Sequence, residues 1–262
     1  MIITIAQLVL SMISGVAVGF TLGLIGGGGS ILAIPLLIYF VGIHNTHLAI
    51  GTTALAVGVN AYINFFSHRK RVKIKMNVGI IFSLIGAAGV LLGTTIGLLT
   101  ESSRLLLLFS FLMIGVGFFM YMGKKGHSIH KEPQPEKKLK KNLGKISGSS
   151  LMTGFASGFF GIGGGFLIVP ALMYSTKINI NEAIGTSLLV VGSFGILTAI
   201  RYGIAGNLLY SVSLFYIIGG IFGGIFGSRI STGMDTSRLK KLFSIIIIIV
   251  GIYVMFRTLG FP

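Results

Sequence analysis

LGLIGGGGSILAIP, residues 22–35, places four consecutive glycines, Gly26, Gly27, Gly28 and Gly29, between two apolar runs. Each glycine in a helix interior costs about 1 kcal/mol relative to alanine. The surrounding chain is 53% apolar and only 10% charged, against about 25% charged in ordinary soluble domains. Its mean hydropathy is +0.94. Apolar runs near 20 residues recur along the whole length, enough to cross a hydrocarbon core of about 30 Å. The composition predicts an all-α, polytopic helical protein of the cell membrane, and a helix broken on purpose at the glycines.

The break occurs twice. GFTLGLIGGGGSILAIP (19–35) lies over GFASGFFGIGGGFLIVP (154–170) at a shift of 135. After a one-residue slip, LAIGTT (48–53) meets EAIGTS (182–187) at a shift of 134, and the glycines at 58, 86, 89, 93 and 117 each meet a glycine in the second half. A register held over about 100 residues marks a duplication. It divides the chain into a first membrane repeat (1–122), a lysine-rich linker (123–147) and a second membrane repeat (148–262). Three clear spans are expected in each half: 47–66, 78–99 and 104–122, then 183–200, 208–228 and 239–257. A glycine-interrupted region, 3–42 or 148–175, precedes each set, giving about five membrane segments per repeat.

Basic residues orient the halves. The loop SHRKRVKIK (67–75) carries five Arg or Lys and the linker eight, whereas RYGIAGN (201–207), the counterpart of that loop, has only Arg201. With 67–75, the linker, Lys177 and 229–241 on the cytoplasmic side, 18 of the 21 basic residues are cytoplasmic, as the positive-inside rule requires. Corresponding loops then face opposite sides. The halves are expected to form an inverted-topology repeat with both termini external, an arrangement characteristic of secondary transporters. The net charge of +16 therefore reports orientation, with attraction to anionic lipid as a secondary effect, and no nucleic-acid partner is expected.

The chain has no cysteine and only five acids, Glu101, Glu132, Glu136, Glu182 and Asp235, all in loops or at helix ends. No carboxylate is expected mid-membrane, so no acid-based proton relay, buried metal or sodium site of carboxylate type is predicted. Catalytic sets are equally lacking, so no enzyme activity and no cofactor are expected. No GK[ST] follows the glycines, which excludes a phosphate loop.

The second arm of each glycine hairpin is short: about 12 residues, roughly 15–18 Å at 1.5 Å per residue. Either the hairpin is re-entrant, with its glycines near the bilayer midplane, or its arms are short, steep spans. In the re-entrant form the free N–H groups opening the second arm must line a polar cavity or be buried in protein. Helix starts suit an anion. Two such tips would meet at a pseudo-twofold axis. The glycines at 86, 89, 93, 220, 223, 224 and 227, three to four apart, are read instead as helix-packing positions.

These motifs, GGGGS and GIGGG with downstream Pro35 and Pro170, the repeated IGTT and IGTS, and the charged linker, resemble the TauE/SafE sulfite exporter family over nearly the whole chain. The resemblance implies a membrane permease for small anions such as sulfite, thiosulfate, sulfate or an organosulfonate. Carried over by motif, the substrate-binding candidates are Gly26, Gly27, Gly28, Gly29, Ser30, Gly161, Gly163, Gly164, Gly165, Thr52, Thr53, Thr186 and Ser187. The alternative for each hydroxyl is back-bonding to the preceding helical turn. Asn60 and Asn64, four apart on one helical face, serve either as substrate contacts or as glue between helices, and have no matching partner in the second half, where Phe194 and Thr198 stand. Arg201 either attracts anions or anchors its helix at the interface. His44, His47 and His68 read as turn and helix-end residues. The function expected is secondary transport of a small anion by alternating access, with an anion channel or a non-transporting membrane scaffold as the alternatives. A proton or sodium as coupling ion and the oligomeric state stay open.

Overall fold

A computed structural model of the protein describes residues 3–25, 30–69, 72, 74–122, 143–161, 165–230 and 236–259. The helices in chain order are α1 (Ile5–Ile25), α2 (Ala33–Pro35, continued by a π turn, Leu36–Phe40), α3 (Thr46–Arg69), α4 (Met76–Leu99), α5 (Ser102–Met122), α6 (Leu143–Phe160), α7 (Gly165–Thr176), α8 (Ile180–Ile204), α9 (Tyr210–Ile230) and α10 (Thr236–Thr258). No strand occurs among the described residues. In lipid every backbone group must be paired within the chain, and the helix does this locally.

Six of the described helices are long and apolar enough to cross a membrane: α1, α3, α4, α5, α8 and α9. The chain is a multi-pass membrane protein. Its outer surface carries bare apolar side chains such as Leu84, Leu92, Phe118, Phe119 and Ile249, which water would penalise and acyl chains accept. The expected span 239–257 falls within α10. The expected linker ends earlier than its composition suggests. Residues 143–147 form the first turn of α6, because Ile146 packs into the core. The rest of that linker, 123–142, lies outside the described residues.

Caps start the helices where the sequence changes character. Thr4 and Gln7 exchange side-chain and backbone hydrogen bonds at the head of α1, a capping box with glutamine in the second role. The Asn45 carboxamide oxygen accepts from the amides of His47 and Leu48, satisfying two orphan donors of α3. Gly161 ends α6 with φ of +67°, the left-handed conformation that glycine adopts without steric cost.

Packing follows the duplication. Equivalent elements are α1 and α6, α2 and α7, α3 and α8, α4 and α9, α5 and α10. α1 packs on α9, and α4 on α6; α3 packs on α8 and on α9, and α4 on α8; α5 packs on α10. Exchanging each helix for its equivalent returns the same set of pairs. Glycine contacts give the directions. Gly51, Gly58 and Tyr62 on α3 meet Tyr202, Gly195 and Gly192 on α8, so these equivalent helices run antiparallel. Gly117 meets Ser244 and Ile248 while Gly251 meets Met113 and Ile114, so α5 and α10 are antiparallel too. By contrast α1 runs parallel to α9, with Gly15, Gly19 and Gly23 beside Tyr216, Gly220 and Gly224, and α4 runs parallel to α6. The glycines expected to serve packing do so. A Cβ at Gly89 would strike the Leu151 carbonyl, one at Gly93 the Phe155 carbonyl, one at Gly223 the Val16 carbonyl and one at Gly227 the Phe20 carbonyl.

The ends of the bundle are equally ordered. Ile74 lies against Gly185 at the start of α8, whereas the Asn207 carbonyl lies against Gly51 at the start of α3. The basic loop of the first half and its counterpart 201–207 therefore sit at opposite ends of the antiparallel α3/α8 pair. Lys75 and Glu182 pair at 3.8 Å, holding the starts of α4 and α8 at one end.

Candidate functional site

Depth can be read from the contacts. α3 and α8 cross at Gly58 and Gly195, where the Cα of Gly58 lies 2.8 Å from where a Gly195 Cβ would stand. This crossing is the waist of the molecule. α6 continues past it. Gly154 meets Gly86, Gly158 meets Val90 and Thr94, Phe159 meets Gly97, and Gly161 meets Ile50. The second glycine run therefore begins level with the end of α4 and the start of α3, not at the waist. From Ile50 to Gly58 is eight residues, roughly 12 Å along α3.

α7 comes back only part of the way. It has 12 residues, about 18 Å, beside an α8 of 25 residues, roughly 38 Å. The connection 177–179 sets the end of α7 next to the start of α8, so Gly165 lies about halfway along α8, near the waist. The hairpin thus has one full arm and one half arm. Gly165 thus stands near the waist and Gly161 level with the end of α4, because α6 stays helical along the length of α4. The equivalent half arm, Ser30–Phe40, is likewise short. Ser30 and Gly165 are both buried. Gly26, Gly27, Gly28, Gly29, Gly163 and Gly164 lie outside the described residues.

A helix that starts at mid-depth offers its first amides to the interior, and these N–H groups carry the positive end of the helix dipole. Such a start accepts negative charge without a basic side chain.

The expected hydroxyls divide into two kinds. Thr53 donates to the Ala49 carbonyl at 2.7 Å and Ser187 to the Ile184 carbonyl at 2.8 Å; both protons are spent on their own helices. Thr52 and Thr186 act across helices. The Thr52 hydroxyl oxygen accepts from the Leu209 amide at 3.1 Å, and the Thr186 oxygen accepts from the Lys75 amide at 3.2 Å. Each thus caps the helix that follows, α9 or α4, at equivalent places in the two halves. Accepting leaves the hydroxyl proton for another acceptor.

Asn60 and Asn64 face α9, where their amide groups occupy the space that side chains at Gly220 and Gly224 would fill. The Asn64 amide donates to the Asn60 carbonyl at 2.9 Å. Asn60 Oδ1 is buried with no partner. Arg201 donates to the Thr95 hydroxyl at 3.0 Å on the exposed side of α4, away from the waist, a placement that suits anchoring. In the structure Gly165 opens the helix that packs on α8 and Thr52 lies against the start of α9, whereas Arg201 turns to Thr95.

Among the described residues, the hydroxyls of Ser83, Ser157, Thr198, Tyr202 and Tyr216 are buried and unpartnered. Nothing in the one-dimensional pattern marks a serine, a threonine or a tyrosine on an apolar helix. Tyr202 is the exception in hindsight, since it stands where the first half has His68. An apolar groove of about 420 Å³ between α1, α2 and α10, lined by Leu36, Tyr39, Val250 and Tyr253, opens on the outer surface. Carbon-lined walls do not solvate charge, so this groove is no anion site.

The comparisons agree with this architecture. The family described as sulfite exporter TauE/SafE matches residues 11–254. A probable membrane transporter protein of Xylella fastidiosa is 45% identical over 257 residues, covering 97% of each chain. One from Methanocaldococcus jannaschii is 29% identical over 92% of this chain and 94% of its own. The probable membrane transporter protein YunE of Bacillus subtilis is 24% identical over 95% of this chain and 97% of its own. No solved structure matches. With its duplicated glycine hairpins and a match that spans nearly its full length, the chain belongs to the TauE/SafE sulfite exporter family, and it is a membrane transporter.

Proposed function

We propose that this transporter is a permease for a small oxyanion or organosulfonate and works by alternating access. One observation carries the reading. Equivalent helices of the two halves run antiparallel, α3 against α8 and α5 against α10, which supports halves that repeat one fold in opposite directions. That is the geometry in which rocking one half against the other exchanges an outward opening for an inward one. The half arm α7 starts near the waist, and its opening amides bind the negative group. Thr52 and Thr186 hold the adjoining helix starts and donate their free protons. The waist at Gly58 and Gly195 is the closed point that the rocking motion must part. The family's name supports the anionic substrate class; among the described spans the one acid is Glu182, in the first turn of α8 beside Lys75, a scarcity that favours a negative over a positive cargo. In this orientation 67–75 and the linker are cytoplasmic and both termini external.

The test is counterflow in proteoliposomes with sulfite, thiosulfate, sulfate and sulfoacetate. Saturable uptake accelerated by unlabelled anion on the far side is expected. Flux that grows linearly with concentration and shows no counterflow replaces the permease with a channel, and no flux of any anion leaves a scaffold. The orientation is checked separately in this cysteine-free chain. Val72→Cys and Ile204→Cys should be labelled from opposite sides of the membrane; labelling from one side refutes the inverted arrangement.

A further inference from the structure

Two helix pairs that join different repeats are locked backbone to backbone. Gly15, Gly19 and Gly23 on α1 and Gly219, Gly223 and Gly227 on α9 interlock: a Cβ on any of them would strike a backbone carbonyl of the other helix. The equivalent pair is built the same way. Gly89 and Gly93 on α4 lie against the Leu151 and Phe155 carbonyls, and Gly154 and Gly158 on α6 lie against those of Gly86 and Val90. Glycines four apart on both facing surfaces let the two backbones touch. A slide of less than a turn would drive each carbonyl into a neighbouring side chain, so each of these pairs moves as one piece.

A second partner fixes each of these exchanged helices. α9 also lies on α3: the Asn60 and Asn64 amides fill the spaces at Gly220 and Gly224, and Ser213 donates to the Thr52 carbonyl at 3.1 Å. α4 also lies on α8: the Phe194 ring fills the space at Gly86, Leu189 fills that at Gly79, and Lys75 pairs with Glu182. Arg201 on α8 donates to Thr95 on α4. α9 is therefore held by two helices of the first repeat, and α4 by two of the second. With the half arms, which pack on their own repeats, this gives two bundles: α1, α2, α3 and α9, and α4, α6, α7 and α8. α5 and α10 pack chiefly on each other and stand outside both. The bundles meet chiefly along α3 and α8, whose backbones approach at Gly58 and Gly195. On either side of that crossing the contact passes to side chains. Tyr62 lies on Gly192, its hydroxyl 2.9 Å from that of Ser193, on one side; Gly51 and His47 lie against the Tyr202 side chain on the other. Side chains re-pack by changing rotamer, whereas interlocked backbones hold, so the crossing can serve as a pivot.

We infer that the bodies that move during transport are these two bundles, each repeat having given one helix to the other, and that they rock about Gly58 and Gly195. The inference rests on the permease reading and names its moving parts. The sequence repeats do not move as units, because that would tear α9 from α1 and α4 from α6. The α3/α8 contact, made of equivalent antiparallel helices, is where the bundles part, and a rock about its crossing closes one end as it opens the other.

The experiment places nitroxide labels on paired cysteines in the otherwise cysteine-free chain. Distances between them are measured in proteoliposomes with and without sulfite or thiosulfate, and counterflow of the same anions is measured alongside. The labelled sites are exposed and lie at the end where α4 and α8 finish. Ile5→Cys with Tyr210→Cys, on α1 and α9, and Leu99→Cys with Ile204→Cys, on α4 and α8, each join two repeats within one bundle. Ile5→Cys with Leu99→Cys joins the two bundles within one repeat. The first two distances should hold when anion is added, and the third should shift by several ångströms. Counterflow accompanied by a shift in either of the first two pairs, or by no shift in the third, overturns the inference and leaves the permease reading standing. Wild type without counterflow overturns both. A covalent tie gives a second readout. Leu189 Cγ lies 3.7 Å from where a Gly79 Cβ would stand, within reach of a disulfide. Gly79→Cys with Leu189→Cys, once oxidised, sews α4 to α8 and should keep counterflow at the rate of the reduced protein. Arrest on oxidation, released by reductant, makes the repeats the moving bodies and overturns the inference.

Discussion

Asn60, Asn64 and His68 descend one face of α3; Phe194, Thr198 and Tyr202 occupy the equivalent places on α8, each 134 residues later. The frame around the two columns is the same. Gly220 on α9 receives the Asn60 amide and its equivalent, Gly86 on α4, receives the Phe194 ring. The contents differ. The α3 column is linked through backbone carbonyls, with Asn64 donating to Asn60 and His68 Nδ1 lying 3.1 Å from the Asn64 carbonyl. The α8 column is aromatic at the waist and carries unpaired hydroxyls above it. Duplication preserved what backbone approach requires and left the interior free to diverge. The two halves therefore differ chemically in their interiors, although their packing frame is shared.

The sharpest way to break the comparison is to attack the shared frame. Gly223→Leu and Gly89→Leu should fail alike, since each new side chain collides with a carbonyl of the helix beside it, Val16 or Leu151. Overpacking against backbone should cost about 3 kcal/mol or more, seen as loss of the monodisperse peak in detergent. Tolerance at one site only would show that the two halves do not share packing.

Exchanging the contents comes next. Phe194→Asn removes a fully buried ring and puts a polar amide in its place at the waist; a loss of about 3 kcal/mol is expected in thermal unfolding. Asn60→Leu removes an amide whose Oδ1 is unpaired, and should change stability by less than about 1 kcal/mol. Equal losses would mean that the columns are equivalent after all.

The smallest effects test the symmetric caps. Thr52→Val and Thr186→Val each strip one acceptor from a helix-opening amide. About 1 kcal/mol is expected for each, and the two values should agree. A large excess at one site would place that hydroxyl on the ligand as well as on the cap.

Membrane class, duplication and the position of the helix breaks were legible in the residues themselves, because each rests on local chemistry. Twenty apolar residues need a helix in lipid, a run of glycines weakens one, and lysines stay out of the hydrocarbon. The packing glycines were legible too, through spacing alone. The depth of the second glycine run was not. Its amides and its first residue differ in depth because α6 runs the length of α4 while α7 reaches only halfway along α8, and helix lengths say nothing of which neighbour sets the level. The fates of the threonines were equally hidden. Thr52 and Thr53 are adjacent in sequence, yet one caps α9 and the other bonds its own helix, since a turn of 100° per residue sends them to different neighbours. Sequence alone determined that the chain is a membrane protein with two broken repeats; only tertiary packing decided which polar groups are used up by the fold and which are left unpaired, because that depends on what stands across from each side chain.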